Sequence, residues 1–181
     1  MLVLALAVPA LAAKREPACL AKIRAELPGA VTTTTIKSRA LGGKRLRFRR
    51  GDVVLVVDLA VLESTTKRFL KENGANRFPE ETNLLRRFAK ALATRDEVDG
   101  DPLVKSKREQ SRLEYRLADV LEQGGFALSQ PMSPANGKPP SPDTILRLEY
   151  SHHCGSLCGS GGRVFLTPSC QELLRVMDWI S

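Results

Sequence analysis

The segment SHHCGSLCGSGGR, residues 151–163, sets Cys154 and Cys158 with three residues between them, while Cys19 and Cys170 stand near opposite ends of the chain. Nothing else in the sequence restricts the fold as strongly. Four cysteines become cross-links where thiols are oxidised, and metal ligands or nucleophiles where they are not. The compartment therefore decides how the segment is read.

The first residues bear on that question. Residues 2–13 are uncharged and mostly apolar, small residues stand at Ala10 and Ala12, and the first charge is Lys14. This pattern predicts a secretory signal over residues 1–13 with an Ala-Leu-Ala cleavage site, the alternative being a buried N-terminal strand or helix. The run is shorter than the ~20 apolar residues of a membrane-spanning helix, and no later segment approaches that length. Glu16-Pro17-Ala18 ahead of Cys19 lacks the small and apolar pattern that precedes a lipidated cysteine. The expected location is extracytoplasmic, periplasmic or secreted, where an even set of four cysteines points to two disulfides. Four cysteines allow three connectivities. Loop entropy assigns about 2 kcal/mol to Cys154–Cys158 and about 5 to Cys19–Cys170. The crossed alternative, Cys19–Cys154 with Cys158–Cys170, sums to nearly the same, so entropy leaves the pairing open.

With 181 residues, 43% of them hydrophobic, the chain can bury one core, and a single exported domain over residues 14–181 is expected. Leu20, Ile23 and Leu27 fall on one side of a short helix between Pro17 and Pro28. The β-branched run 31–37, the alternating KRLRFRR at 44–50 and the apolar VVLVVDL at 53–59 read as a three-stranded meander, with Gly51-Asp52 as the second turn. Helices are expected over 64–73, from Pro79 to Leu92, and from Pro102 to Gln123, the last with a stripe of Leu113, Leu117, Val120 and Leu121. Residues 129–143 carry Pro131, Pro134, Pro139, Pro140 and Pro142 and read as an extended loop within the domain. TILRLEY and RVFLT then form a hairpin across the glycine-rich turn. The last segment, 170–180, fits either a helix opened by Ser169 and Glu172 or an edge strand. The fold class is α+β: one mostly antiparallel sheet, built from the N-terminal meander and the C-terminal hairpin, with three or more helices on one face.

Strand alternation places Leu146, Leu148, Tyr150, His152 and Cys154 on the apolar side of the hairpin, and Arg147, Glu149, Ser151 and His153 on the wet side. His152, Cys154 and Cys158, with Cys170 as a fourth ligand, would make a tetrahedral zinc site or the centre of a thiol enzyme if the sulfurs were free. Oxidation in an exported protein competes with both, and the oxidoreductase spacing of two residues between cysteines is absent here. GSLCGSGGR lacks the Gly-Lys-Ser/Thr of a phosphate loop, so its glycines serve the turn. Arg45, Arg47 and Arg49 project from one strand face at about 6.6 Å spacing. With a net charge of +8 they offer a contact for anionic envelope polymers or lipids, the competing reading being a solvated or glutamate-paired face. Few aromatic side chains accompany them, which argues against nucleic acid. Asp96, Glu97, Asp99 and Asp101 read as a solvated linker at a helix end, and Arg50-Gly51-Asp52 as a hairpin turn. No catalytic or cofactor-binding residue is assigned.

CGSLCGSGG, the following RVFLT and the closing WIS resemble the C-terminal signature of a group of exported bacterial proteins that carries no assigned activity. The resemblance covers Thr144 to Ser181. It departs where this chain has PSCQELLRVMD in place of a charged, Gly-Lys-Trp-like hairpin, and Cys170 lies outside it. It implies the pairing Cys154–Cys158, and with it Cys19–Cys170. Five extended residues would span about 13 Å, whereas a bridge needs Cα atoms about 4.4–6.8 Å apart. Gly155 and Gly159 must let that turn close. The functional expectation is a disulfide-stabilised binding or structural module without enzymatic activity, with the zinc or thiol enzyme as its alternative.

Overall fold

The computed structural model describes residues 16–39, 41–73, 83, 87, 97–99, 107–129 and 144–181. The expected signal at 1–13, all but two residues of the helix from Pro79, and the proline-rich stretch beyond Ser129 lie outside the described residues. The helices are α1 (Ala18–Glu26), α2 (Leu59–Asn73) and α3 (Lys107–Glu122). The strands are β1 (Ala30–Lys37), β2 (Arg45–Arg50), β3 (Val53–Asp58), β4 (Glu97–Asp99), β5 (Phe126–Ser129), β6 (Thr144–His153), β7 (Gly159–Leu166) and β8 (Glu172–Ile180). They form two four-stranded sheets, sheet A in the order β1-β6-β7-β8 and sheet B in the order β4-β2-β3-β5. Every pairing is antiparallel except that of β2 with β4.

Local chemistry sets the boundaries. Pro17 opens α1 and Gly29, at φ 75°, turns the chain into β1. The β2–β3 turn rests on Gly51 at φ 54°. α2 begins at Leu59, five residues before the expected start at Ser64, because Asp58 caps it: its Oδ1 accepts from the N–H groups of Ala60 at 2.8 Å and Val61 at 3.3 Å. α3 ends at Gly124, φ 71°, whose N–H returns to the Leu121 carbonyl at 3.0 Å. Between β7 and β8, Thr167 Oγ1 accepts from Gln171 N–H at 3.0 Å and shares a hydrogen bond with Ser169 Oγ at 2.9 Å. That turn takes Ser169 out of any helix cap, and 172–180 is a strand.

The α+β class with mostly antiparallel pairing stands, and two features of its layout differ from the expected one. β1 does not join β2 and β3; it pairs with β6 along its whole length, Ala30 opposite Ser151 through Lys37 opposite Thr144. The N-terminal strand therefore belongs to the C-terminal sheet, and β5, too short to stand out in the sequence, completes sheet B beside β3. The helices also divide between two faces. Leu20 of α1 and Leu27 just beyond its end bury themselves against Leu148, Tyr150, Val164 and Leu166 on one side of sheet A. The opposite side contributes Ile145, Phe165, Leu174 and Val176 to the larger core, which runs through α2 and α3 to Leu46, Leu55 and Val57 of sheet B. Sheet A is thus covered on both faces, and that explains why β7 is buried along almost its entire length.

Candidate functional site

The hairpin that carries the cysteines is closed twice. Cys154 and Cys158 are bonded, with Cα atoms 5.2 Å apart, and Cys154 N–H donates to the Cys158 carbonyl at 3.0 Å. Gly155 at φ 136° supplies the backbone angle that other residues rarely adopt. Cys19 and Cys170 are bonded with Cα atoms 6.1 Å apart, tying α1 to the β7–β8 turn. All four sulfurs are engaged, and Cys170 is joined to Cys19 instead of meeting Cys154 and Cys158. A disulfide sulfur is not the thiolate that zinc or a nucleophilic mechanism needs. Among the described residues, no group of three or more His, Cys, Asp or Glu side chains is arranged to hold a metal ion. Both histidines are exposed, including His152, which alternation had placed on the apolar side. His153 stacks on Trp179, ring centroids 5.1 Å apart.

Arg45, Arg47 and Arg49 are exposed on β2 and project opposite the buried Leu46. The parallel register sets Glu97 beside Arg45 and Asp99 beside Arg47, so half of the acidic linker is a strand neighbouring the basic one. The Arg-Gly-Asp tripeptide is the β2–β3 turn, with Arg50 pairing with Glu114 of α3.

The charged constellation of this molecule lies between α3 and sheet A. Arg163 on β7 is only 8% exposed and grips Asp178 of β8 with two hydrogen bonds, Nε to Oδ2 at 2.7 Å and Nη2 to Oδ1 at 2.6 Å. Its Nη1 reaches Asp119 of α3 at 3.3 Å and lies 3.6 Å from Glu122. Arg147 on β6 completes the chain of charges, 2.5 Å from Glu122 and 2.7 Å from Glu149. Burial works against a charged Arg163, but the hydrogen bonds and charges of Asp178 and Asp119 outweigh it and hold the guanidinium protonated. For Glu122 burial wins: its carboxyl is pushed above the ordinary value despite Arg147 and Arg163.

Beside this cluster an open groove of about 520 Å³ runs between α3 and β8. Phe69, Tyr115 and Val176 give it an apolar lining, with Arg112, Arg116 and Arg175 among its polar groups. Compared with protein-family models, with curated proteins and with solved structures, the chain gives no match. The groove must therefore be read from its own chemistry. Arg116 lies flat against Phe69, 3.3 Å from the ring centroid, and is held by Asp119 at 3.1 Å. Arg175 is fixed by Glu172 through two hydrogen bonds of 3.1 and 2.8 Å. The two carboxylates in the wall are engaged from outside it, Glu114 by Arg50 and Asp178 by Arg163. Ser111 donates its hydroxyl to the Lys107 carbonyl at 3.0 Å.

The sequence shows α3 chiefly through its apolar stripe, and this region lies on the polar side beside that stripe. Tyr115, Arg116, Asp119 and Glu122 recur at the three- and four-residue spacing of a helix face, which was the available signal. Arg163, the one charge in β7, was the second signal.

Proposed function

We propose that the protein is an exported, disulfide-stabilised binding module of the cell envelope, not an enzyme, and that it takes an anionic ligand in the groove between α3 and β8. The observation that supports this is how the groove's polar groups are committed. Arg116 is positioned by Asp119 and the Phe69 ring and Arg175 by Glu172, and the wall's own carboxylates and serine hydroxyl are likewise bound within the protein. Such walls orient and neutralise a carboxylate, sulfate or phosphate group; they offer no free acid–base pair. The two bonded cysteine pairs fit an oxidising compartment. No helix among the described residues is long and apolar enough to cross a membrane.

Heparin-affinity chromatography tests the ligand class. The wild-type protein should be retained, and Arg112→Gln with Arg175→Gln should elute at clearly lower salt. Loss of retention only on converting Arg45, Arg47 and Arg49 to Gln would move the site to β2, and no retention of the wild type would sink the proposal. Thiol counting on protein from the periplasm, denatured without reductant, tests the compartment: four free thiols, with stoichiometric zinc, would replace this reading by the metal one.

A further inference from the structure

Four large hydrophobic side chains are exposed among the described residues, and all belong to the C-terminal hairpin and its neighbour: Leu157, Met177, Trp179 and Ile180. Met177 lines the groove. The other three lie at the same end of sheet A, because Ser160 pairs with Ile180, Gly161 with Trp179, and Gly159 exchanges hydrogen bonds with Ser181 at 3.0 and 3.2 Å. Leu157 stands 88% exposed within the turn closed by Cys154–Cys158, and Ile180, opposite Ser160, is 75% exposed. Trp179 lies over a glycine floor, where a Cβ on Gly161 would come within 2.3 Å of its Nε1 and one on Gly159 within 2.9 Å of its ring.

We infer that this end of sheet A is a membrane-contacting tip, which inserts Leu157 and Ile180 into the interface of an anionic lipid bilayer with Trp179 at headgroup depth. Apolar side chains this exposed suit a fluid surface that closes around them. Tryptophan, apolar in its rings and polar at its N–H, favours the boundary between hydrocarbon and water. No carboxylate lies between Ser151 and Gly162, so insertion of the turn desolvates no negative charge. The net charge of +8 draws the molecule to anionic headgroups. The disulfide already orders the turn, so little conformational freedom remains to be lost on binding. The tip is separate from the α3–β8 groove and its test does not depend on that reading.

Trp179 is the chain's only tryptophan and reports on its own burial. The experiment is co-sedimentation with vesicles of phosphatidylcholine and phosphatidylglycerol at seven to three, with indole emission recorded, beside pure phosphatidylcholine vesicles. The full chain should pellet with the mixed vesicles, with a blue-shifted emission, and more weakly with the neutral ones. Leu157→Ser with Ile180→Ser, both at exposed positions, should leave the unfolding midpoint unchanged and lower the partition by about tenfold or more. Any of these results would overturn the inference: no pelleting of the wild type with either vesicle; equal partition of the double variant; or self-association through Leu157 and Ile180 without vesicle binding. Pelleting that depends on Arg45, Arg47 and Arg49 alone would assign the lipid contact to β2 and would also overturn it. Heparin retention reads the groove, so the two proposals fail separately.

Discussion

Gly161 shows how one absent side chain shapes the end of this molecule. Trp179 rests where a Cβ would stand, and the nearest atoms are a rigid indole's. Gly161→Ala must displace that ring or bend β7, and overpacking of this kind costs about 1–3 kcal/mol. Urea unfolding followed by Trp179 fluorescence should show the loss of stability together with an altered native emission. Arg163 is the opposite case, a residue defined by what it holds. Three carboxylates from two elements meet its guanidinium inside the protein. Its value lies in fixing α3 against β7 and β8, because a buried ion pair contributes geometry more dependably than it contributes free energy.

At the scale of elements, α3 on sheet A makes a testable pH signature. Burial raises the Glu122 carboxyl above its ordinary value, so the folded chain binds that proton more tightly than the unfolded chain. The resulting stabilisation is full below the unfolded value, near 4.5, and is lost as the pH rises through the folded one. Wild type should therefore lose stability relative to Glu122→Gln as the pH rises above 4.5, measured by urea unfolding of both proteins; a relative gain would contradict the stated cause. Elements also mark what the sequence could and could not disclose. Alternation and turn residues revealed β2, β3 and β6, and the stripe of Leu113, Leu117, Val120 and Leu121 revealed α3. β1 was visible as a strand but not as the partner of β6, since that pairing bridges more than a hundred residues and leaves no local mark. The apolar residues on both sides of Asp58, from Val53 to Leu62, concealed the cap it makes. β8 satisfied two periodicities at once, and only the neighbouring β7 decides between them. The cysteine turn was legible in the sequence. The groove was not, because its walls come from α2, α3 and β8 and no stretch of sequence contains them together.

At the scale of the whole molecule, the Cys19–Cys170 bond spans 151 positions and docks α1 on the outer face of sheet A. Replacing both cysteines by serine should cost about 2–5 kcal/mol, read as a lower urea midpoint, whereas the same change at Cys154 and Cys158 should cost less because the closed loop is short. Equal costs would mean that the long bridge constrains little beyond the turn it enters. The long bridge has a second consequence, of connectivity. Everything from Leu20 to Ser169 belongs to one closed covalent ring. A protease that cuts once inside that ring opens it without dividing the molecule, and the two pieces stay joined through sulfur. Cut inside that ring, the chain comes apart only after a second cut there or on exposure to a reductant.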